Sequence, residues 1–307
     1  MLHIINTIIP VFAVILLGLV IRATGYLPQE ITAPLNRLVY YIAIPAMLFK
    51  ALVGASFRTH FDILLLSGTL APVLVVFALS IVVTKLIHVP RRYRGTLAQS
   101  CFHGNFGYIG FAVAFYLLGE SGLTTASILA GFLMLLQNFL SVLALQLFSP
   151  NPILGRRFPF VLKKVVANPV IVSSTAGIAF SLSGLALPVV AHRTLSILSG
   201  MALPLALLVI GASLSPALIR DNLKYAIISG VVKLVILPAV GVFFYYQAGL
   251  APGQFLPGLI LLASPTATVT FVMAAEMKGS VELASAAISL NTLLSAVTFL
   301  FWLWLLQ

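Results

Sequence analysis

The sequence predicts an all-α polytopic membrane protein: ten transmembrane helices in two inverted five-helix repeats, with the fourth and ninth helices broken. Three observations predict this. The composition leaves too few charges for a water-soluble surface. Apolar runs recur at membrane-spanning length. Interruptions rich in glycine and proline fall at matching places in the two halves.

The chain has 307 residues, 61% of them hydrophobic and 7% charged, and a mean hydropathy of +1.15. Soluble domains carry about 25% charged residues. So much apolar surface exceeds what a soluble core can hide, and lipid is the matching solvent. A single cysteine, Cys101, excludes an internal disulfide framework and a multi-cysteine metal site. The net charge of +11 does not point to nucleic acid, because the cations fall between apolar segments, as topology signals do. The first segment is expected to be a retained span rather than a signal peptide, since no Lys or Arg precedes it and Arg22 follows it.

A helix crosses the hydrocarbon core in about 20 apolar residues. Such segments run over 4–23, 31–54, 62–87, 95–118, 124–147, 164–183, 188–215, 224–248, 255–277 and 282–306. The longest polar break, 149–160, lies at mid-chain and divides the sequence into halves of 1–150 and 151–307. With the N-terminus outside, the inner connections carry Arg22, Lys85, Arg91, Arg92, Arg94, Arg156, Arg157, Lys163, Lys164, Arg220, Lys224 and Lys278. The outer ones carry only Lys50, Arg58 and Arg193. The positive-inside rule then places both termini outside the cytoplasm and the central loop within it.

Five spans in each half force the halves into opposite orientation, and the residues support a duplication. Asn6 and Pro10 open the first span, and Asn168 and Pro169 the sixth. Gly18 and Pro45 stand 27 residues apart, as do Gly177 and Pro204. Gly25 to Pro28 corresponds to Gly184 to Pro188. An offset of 160 pairs NFGYIGF (105–111) with PTATVTF (265–271) and Gly119 with Gly279. Interruptions at equivalent places of inverted halves are the sequence pointer to a transporter binding site. Broken backbone at membrane depth must face protein or a water-filled cavity. Glycine permits the unwinding, and Pro265 removes a donor. Where two unwound segments cross, half-helix N-termini offer free amides to an anion.

These motifs carry a resemblance to the auxin efflux carrier family, including bacterial members described as malonate or organic-acid permeases. It spans nearly the whole chain, through PVFAVILLGLVIRATGYL (10–27), LVYYIAIPAMLF (38–49), NFGYIGF (105–111), ANPVI (167–171), MALPLALLVIGASL (201–214), KLVILP (233–238), SPTATVTFVMAAEM (264–277) and TLLS (292–295). The resemblance implies that helices four and nine cross where they break. It also implies a scaffold and dimer surface of spans one, two, six and seven, and a transport unit made of the others. The cargo it implies is a small organic anion at the crossover, moved across a cell membrane by alternating access. Plant relatives carry a long central loop; here it is short, so regulation through it is not expected.

The expected substrate site comprises Gly104, Asn105, Gly107, Ser264, Pro265, Thr266, Thr268 and Lys233. Asn105 would donate to a carboxylate, or else only cap freed backbone. Ser264, Thr266 and Thr268 would contact substrate, or bond back to their own helix. Lys233, deep in the eighth span, needs a cavity or a partner; Arg37 lies nearer the surface and can snorkel. His103, Gln137, Asn138 and Asn291 are expected ion-binding or coupling residues, with Na⁺ or H⁺ as the ion and no other cofactor; interhelical hydrogen bonding is the plainer reading of the amides. Glu276 reads as a solvated carboxylate. Other functions fit less well. An intramembrane enzyme would need paired carboxylates, a metal set or an activated nucleophile, and Cys101 and His103 do not face each other on a helix. No phosphate-binding loop suggests ATP as the drive. A channel or sensor on the same fold, or a sodium-coupled symporter of another solute class, is the remaining alternative.

Overall fold

A computed structural model describes residues 2–53, 60–149 and 167–306. The central loop, its Arg156, Arg157, Lys163 and Lys164, and Arg58 lie outside the described residues. What is described is helical, with no strand longer than one isolated bridge. Seven helices are long and apolar enough to cross a membrane: Leu2–Ala23, Glu30–Val53, Ile63–Leu86, Phe106–Phe148, Val189–Ser213, Leu223–Gln247 and Val281–Leu305. Ten spans were expected. The difference has three local causes. The fourth expected span is cut by a non-helical stretch between Arg91–Ser100 and Phe106. Its second half runs on into the fifth, through a kink at Gly119 with φ 69° and ψ −162°, a conformation open essentially to glycine. The sixth and ninth segments form the shorter apolar helices Pro169–Leu182 and Pro252–Ala263.

The chain folds into two compact units. The first holds Met1–Ile63, Gly107–Gly131 and Val166–Ser213. Its central crossing joins Leu2–Ala23 to Val189–Ser213. Gly18 lies against the Leu208 carbonyl and Gly211 against the Ile15 carbonyl so closely that a Cβ on either would strike the facing main chain. Small residues let helix backbones approach in this way where lipid supplies no hydrophobic drive between helices. Arg22 donates to the Ala212 carbonyl at 2.6 Å, setting a cation on the C-terminal end of the partner helix, where the helix dipole favours it.

The second unit holds Leu64–Phe106, Phe132–Val165 and Leu214–Gln307. Pro238 shapes its eighth segment. A proline removes the bond to the carbonyl four residues back and crowds it, here that of Leu234. The helix widens into a π turn over Val232–Ile236, with Leu237 N reaching back to Val232 O. The freed Leu234 carbonyl instead accepts from Trp302 Nε1 at 2.8 Å. Elsewhere in the unit Tyr245 stacks on Phe255 at 4.7 Å and bonds Thr69 at 2.8 Å. Its ring occupies space left by Gly68 and Gly258.

Candidate functional site

The site is built from two helix ends, both in the second unit. Arg91–Ser100 winds down through tightened turns: Phe102 N and His103 N both donate to Gln99 O, at 3.2 and 3.0 Å. The next helical turn starts at Phe106. Gln137 satisfies the gap with both ends of its amide, Nε2 to Phe102 O at 2.8 Å and Oε1 from Gly104 N at 2.9 Å. The second end closes Pro252–Ala263. Pro265 has no N–H with which to continue that helix. Ser264 Oγ donates to Ile260 O at 2.8 Å and Ser264 N to Leu261 O at 3.2 Å. Lys233 Nζ donates to Leu262 O at 2.7 Å. Each of these terminal carbonyls thus has a donor, as a buried helix end requires.

The two non-helical stretches bond to each other. Asn105 N donates to Pro265 O at 2.8 Å and Ala267 N to His103 O at 2.9 Å, an antiparallel bridge centred on Gly104 and Thr266. Side chains brace it. Thr266 Oγ1 donates to Ser100 O at 2.9 Å. Asn291 Nδ2 donates to Thr266 Oγ1 at 2.7 Å and Ser229 Oγ at 3.3 Å. Gly230 is required there, because a Cβ would stand 2.8 Å from Asn291 Oδ1.

Buried polar atoms of this unit remain unpartnered among the described residues: Asn105 Nδ2, Gln99 Oε1, Thr270 Oγ1, Asn291 Oδ1 and Thr292 Oγ1. Each such group costs about 1–3 kcal/mol of lost hydration, so several in one unit demand an explanation. Sequence reasoning missed Gln99 and Thr270. Both signals were present: an amide two residues before Cys101, and a further hydroxyl in the run that carries Thr266 and Thr268.

Of the expected substrate residues, Gly104, Asn105, Ser264, Pro265 and Thr266 gather at the bridge, all buried. Thr268 is half-buried at the start of Val269–Glu276, with its side chain not capping the helix. Lys233 is fully buried. Gly107 lies one turn on, in the first unit, 4.0 Å short of Ile44 Cδ1 for an added Cβ, so neither space nor backbone angle demands a glycine there. Among the expected coupling residues, His103 is tied by Nδ1 to Ser141 Oγ at 2.8 Å. Gln137 is spent on backbone, and Asn291 retains a free oxygen. Asn138 is half-buried, about 100° round the helix from Gln137. Within the first unit, a cavity of about 210 Å³ is lined by Met47, Lys50, Phe115, Tyr116, Glu120 and Ser199 among others; none of the expected site residues borders it.

An all-helical chain with apolar spans, whose buried polar groups collect on interrupted backbone, has the build of a membrane transporter. The chain belongs to the family described as "Membrane transport protein", which it matches over residues 3–154 and 149–303; this is the auxin efflux carrier family that the motifs resemble. It is 27% identical to a "Putative malonate transporter" of Rhizobium meliloti, over 97% of this chain and 94% of that one. It is 26% identical to an uncharacterized transporter of Methanothermobacter thermautotrophicus, covering 97% and 96% of the two chains. A further uncharacterized transporter, of Methanocaldococcus jannaschii, is 23% identical over 98% of each. The protein is therefore a multi-pass membrane protein of a transporter family.

Proposed function

We propose that the protein is a secondary carrier for a small organic anion, a mono- or dicarboxylate, that binds beside the Gly104–Thr266 bridge and crosses by alternating access. One observation carries the reading: Asn105 is fixed by its backbone to Pro265 while its buried side-chain Nδ2 has no partner among the described residues. An amide donor pre-positioned in this way suits a carboxylate oxygen, and the lysine at the same helix end supplies a positive charge. The architecture we propose is ten spans in two inverted repeats whose broken fourth and ninth helices cross. Gly25 and Gly184, equivalent under the repeat, both take left-handed φ, 83° and 70°, which supports it. In the same reading the carrier is a homodimer in a cell membrane, spans one, two, six and seven are the scaffold and the others the transport unit, and both termini face outward. The similarity to the "Putative malonate transporter" of Rhizobium meliloti makes malonate one cargo to try.

The test is ligand-dependent thermal stabilisation of the detergent-purified protein with a panel of mono- and dicarboxylates, with and without Na⁺. A ligand that binds only the native state stabilises it by RT ln(1 + [L]/Kd). Stabilisation by an acid, lost in Asn105→Ala, is the expected result. A requirement for Na⁺ would assign the coupling ion. Silence across the whole panel, with liposomes that move no acid, would overturn the reading.

A further inference from the structure

The buried charge in the second unit is unbalanced. Lys233 is the only Lys or Arg buried among the described residues. It donates a hydrogen bond to a neutral carbonyl, Leu262 O. The whole chain has six carboxylates, Glu30, Asp62, Glu120, Asp221, Glu276 and Glu282, and none is buried. Packed against the turn that carries Lys233 are Leu223–Val231, Leu237–Gln247, Pro252–Ala263 and Val281–Leu305. Their ionisable side chains are Lys224, Tyr225, Tyr245, Tyr246 and Glu282. Glu282 is exposed at its helix start and accepts from Ser280 Oγ. Cys101 and His103 also interact electrostatically with Lys233, and neither is a carboxylate.

An ionised group held away from water needs an opposite charge. No carboxylate of the chain is buried here, and a bound anion would supply that charge. The geometry also limits how much charge the ligand brings. One ammonium neutralises one carboxylate; a second carboxylate would itself be buried without a cation. Lys233 and Asn105 both reach the same end of Pro252–Ala263, one through Leu262 and the other through Pro265. The ammonium and the unpartnered Asn105 Nδ2 thus belong to residues held at one helix end.

We propose that the carrier takes its substrate as a monoanion, with Lys233 as its one fixed countercharge. Dicarboxylates then enter singly protonated, the second carboxyl serving as a neutral hydrogen-bonding group. The inference rests on the organic-anion reading above and narrows it.

The experiment compares acids of equal length on the purified wild-type protein, propionate with malonate and butyrate with succinate, measuring affinity by thermal shift as pH rises. The ratio within each pair cancels any titration of the protein, because that would move both acids. Monocarboxylate affinity is expected to set the baseline. Dicarboxylate affinity relative to it should fall about tenfold per pH unit above the second dissociation of the acid, as the monoanion disappears. In Lys233→Gln the affinity for both acids of a pair should drop at least roughly tenfold with their ratio held, whereas Lys233→Arg should keep both affinities. A dicarboxylate that holds its relative affinity as pH rises, or a Lys233→Gln protein that binds both acids as tightly as wild type, overturns the monoanion proposal and leaves the carrier reading standing. If no acid binds at any pH, the carrier reading falls and takes this one with it.

Discussion

Trp302 Nε1 reaches the Leu234 carbonyl at 2.8 Å, the carbonyl that Pro238 leaves without its helical donor. One helix thus repairs the defect that a proline makes in another. Trp302→Phe keeps most of the buried aromatic area and removes the donor. The expected loss is about 1–3 kcal/mol, the cost of a buried acceptor left unmade, read as a lower unfolding midpoint in detergent.

Gln137 holds Phe102 O and Gly104 N with the two ends of one amide. Gln137→Leu strips both, costing about 1–3 kcal/mol for each group. Gln137→Glu keeps an acceptor for Gly104 N but deprives Phe102 O of its donor. The expected order of thermal stability is wild type, then Gln137→Glu, then Gln137→Leu. Ligand binding should fall in the same order, since Asn105 stands on the backbone that Gln137 holds. Equal stability of all three would show the clamp to be idle.

The crossing at Gly18 and Gly211 makes an independent prediction for the other unit. A methyl at either position meets main-chain carbonyl rather than a yielding side chain. Gly211→Ala should destabilise by about 1–3 kcal/mol through forced separation of the helices. Gly200 sits in the same helix with open space around it, and Gly200→Ala should be neutral or slightly stabilising. The pair of thermal melts checks the notch against a general intolerance of substitution.

The lone cysteine permits a topology test. Cys101 is buried, and in a Cys101→Ser background single cysteines can be placed at will. With both termini outward, Gln307→Cys in intact cells should react with a membrane-impermeant thiol reagent. Arg92→Cys, on an exposed position of the Arg91–Ser100 helix, should react only after the membrane is opened. The reverse pattern would invert the orientation inferred from the positive charges.

Much of this was legible beforehand because membrane-depth backbone leaves few options. Gly104 and Pro265 in apolar runs marked where the helices break, and the structure interrupts both runs there, at Cys101–Asn105 and Ser264–Thr268, whereas Gly107 lies in the helical turn Phe106–Gly110. What closes the breaks was not legible. Gln137 read as one of several amides suited to interhelical bonding or an ion, and only tertiary placement separates it from Asn138, its half-buried neighbour. Trp302 sits near a helix end, where an aromatic ordinarily marks the membrane interface; its partner carbonyl is 68 residues away. Lys233 was singled out by its depth, yet no periodicity could assign it to the end of another helix. His103 was read as a possible proton carrier, and its bond to Ser141 rests on a residue that nothing in the local pattern recommends.

The join between Gly104 and Thr266 is made of main-chain atoms. Its amides come from Asn105 and Ala267 and its carbonyls from Pro265 and His103, so no side-chain atom takes part in the join itself. The chain therefore divides the labour: the meeting of the two stretches belongs to the peptide backbone, while side chains such as Gln137 and Thr266 brace it from outside.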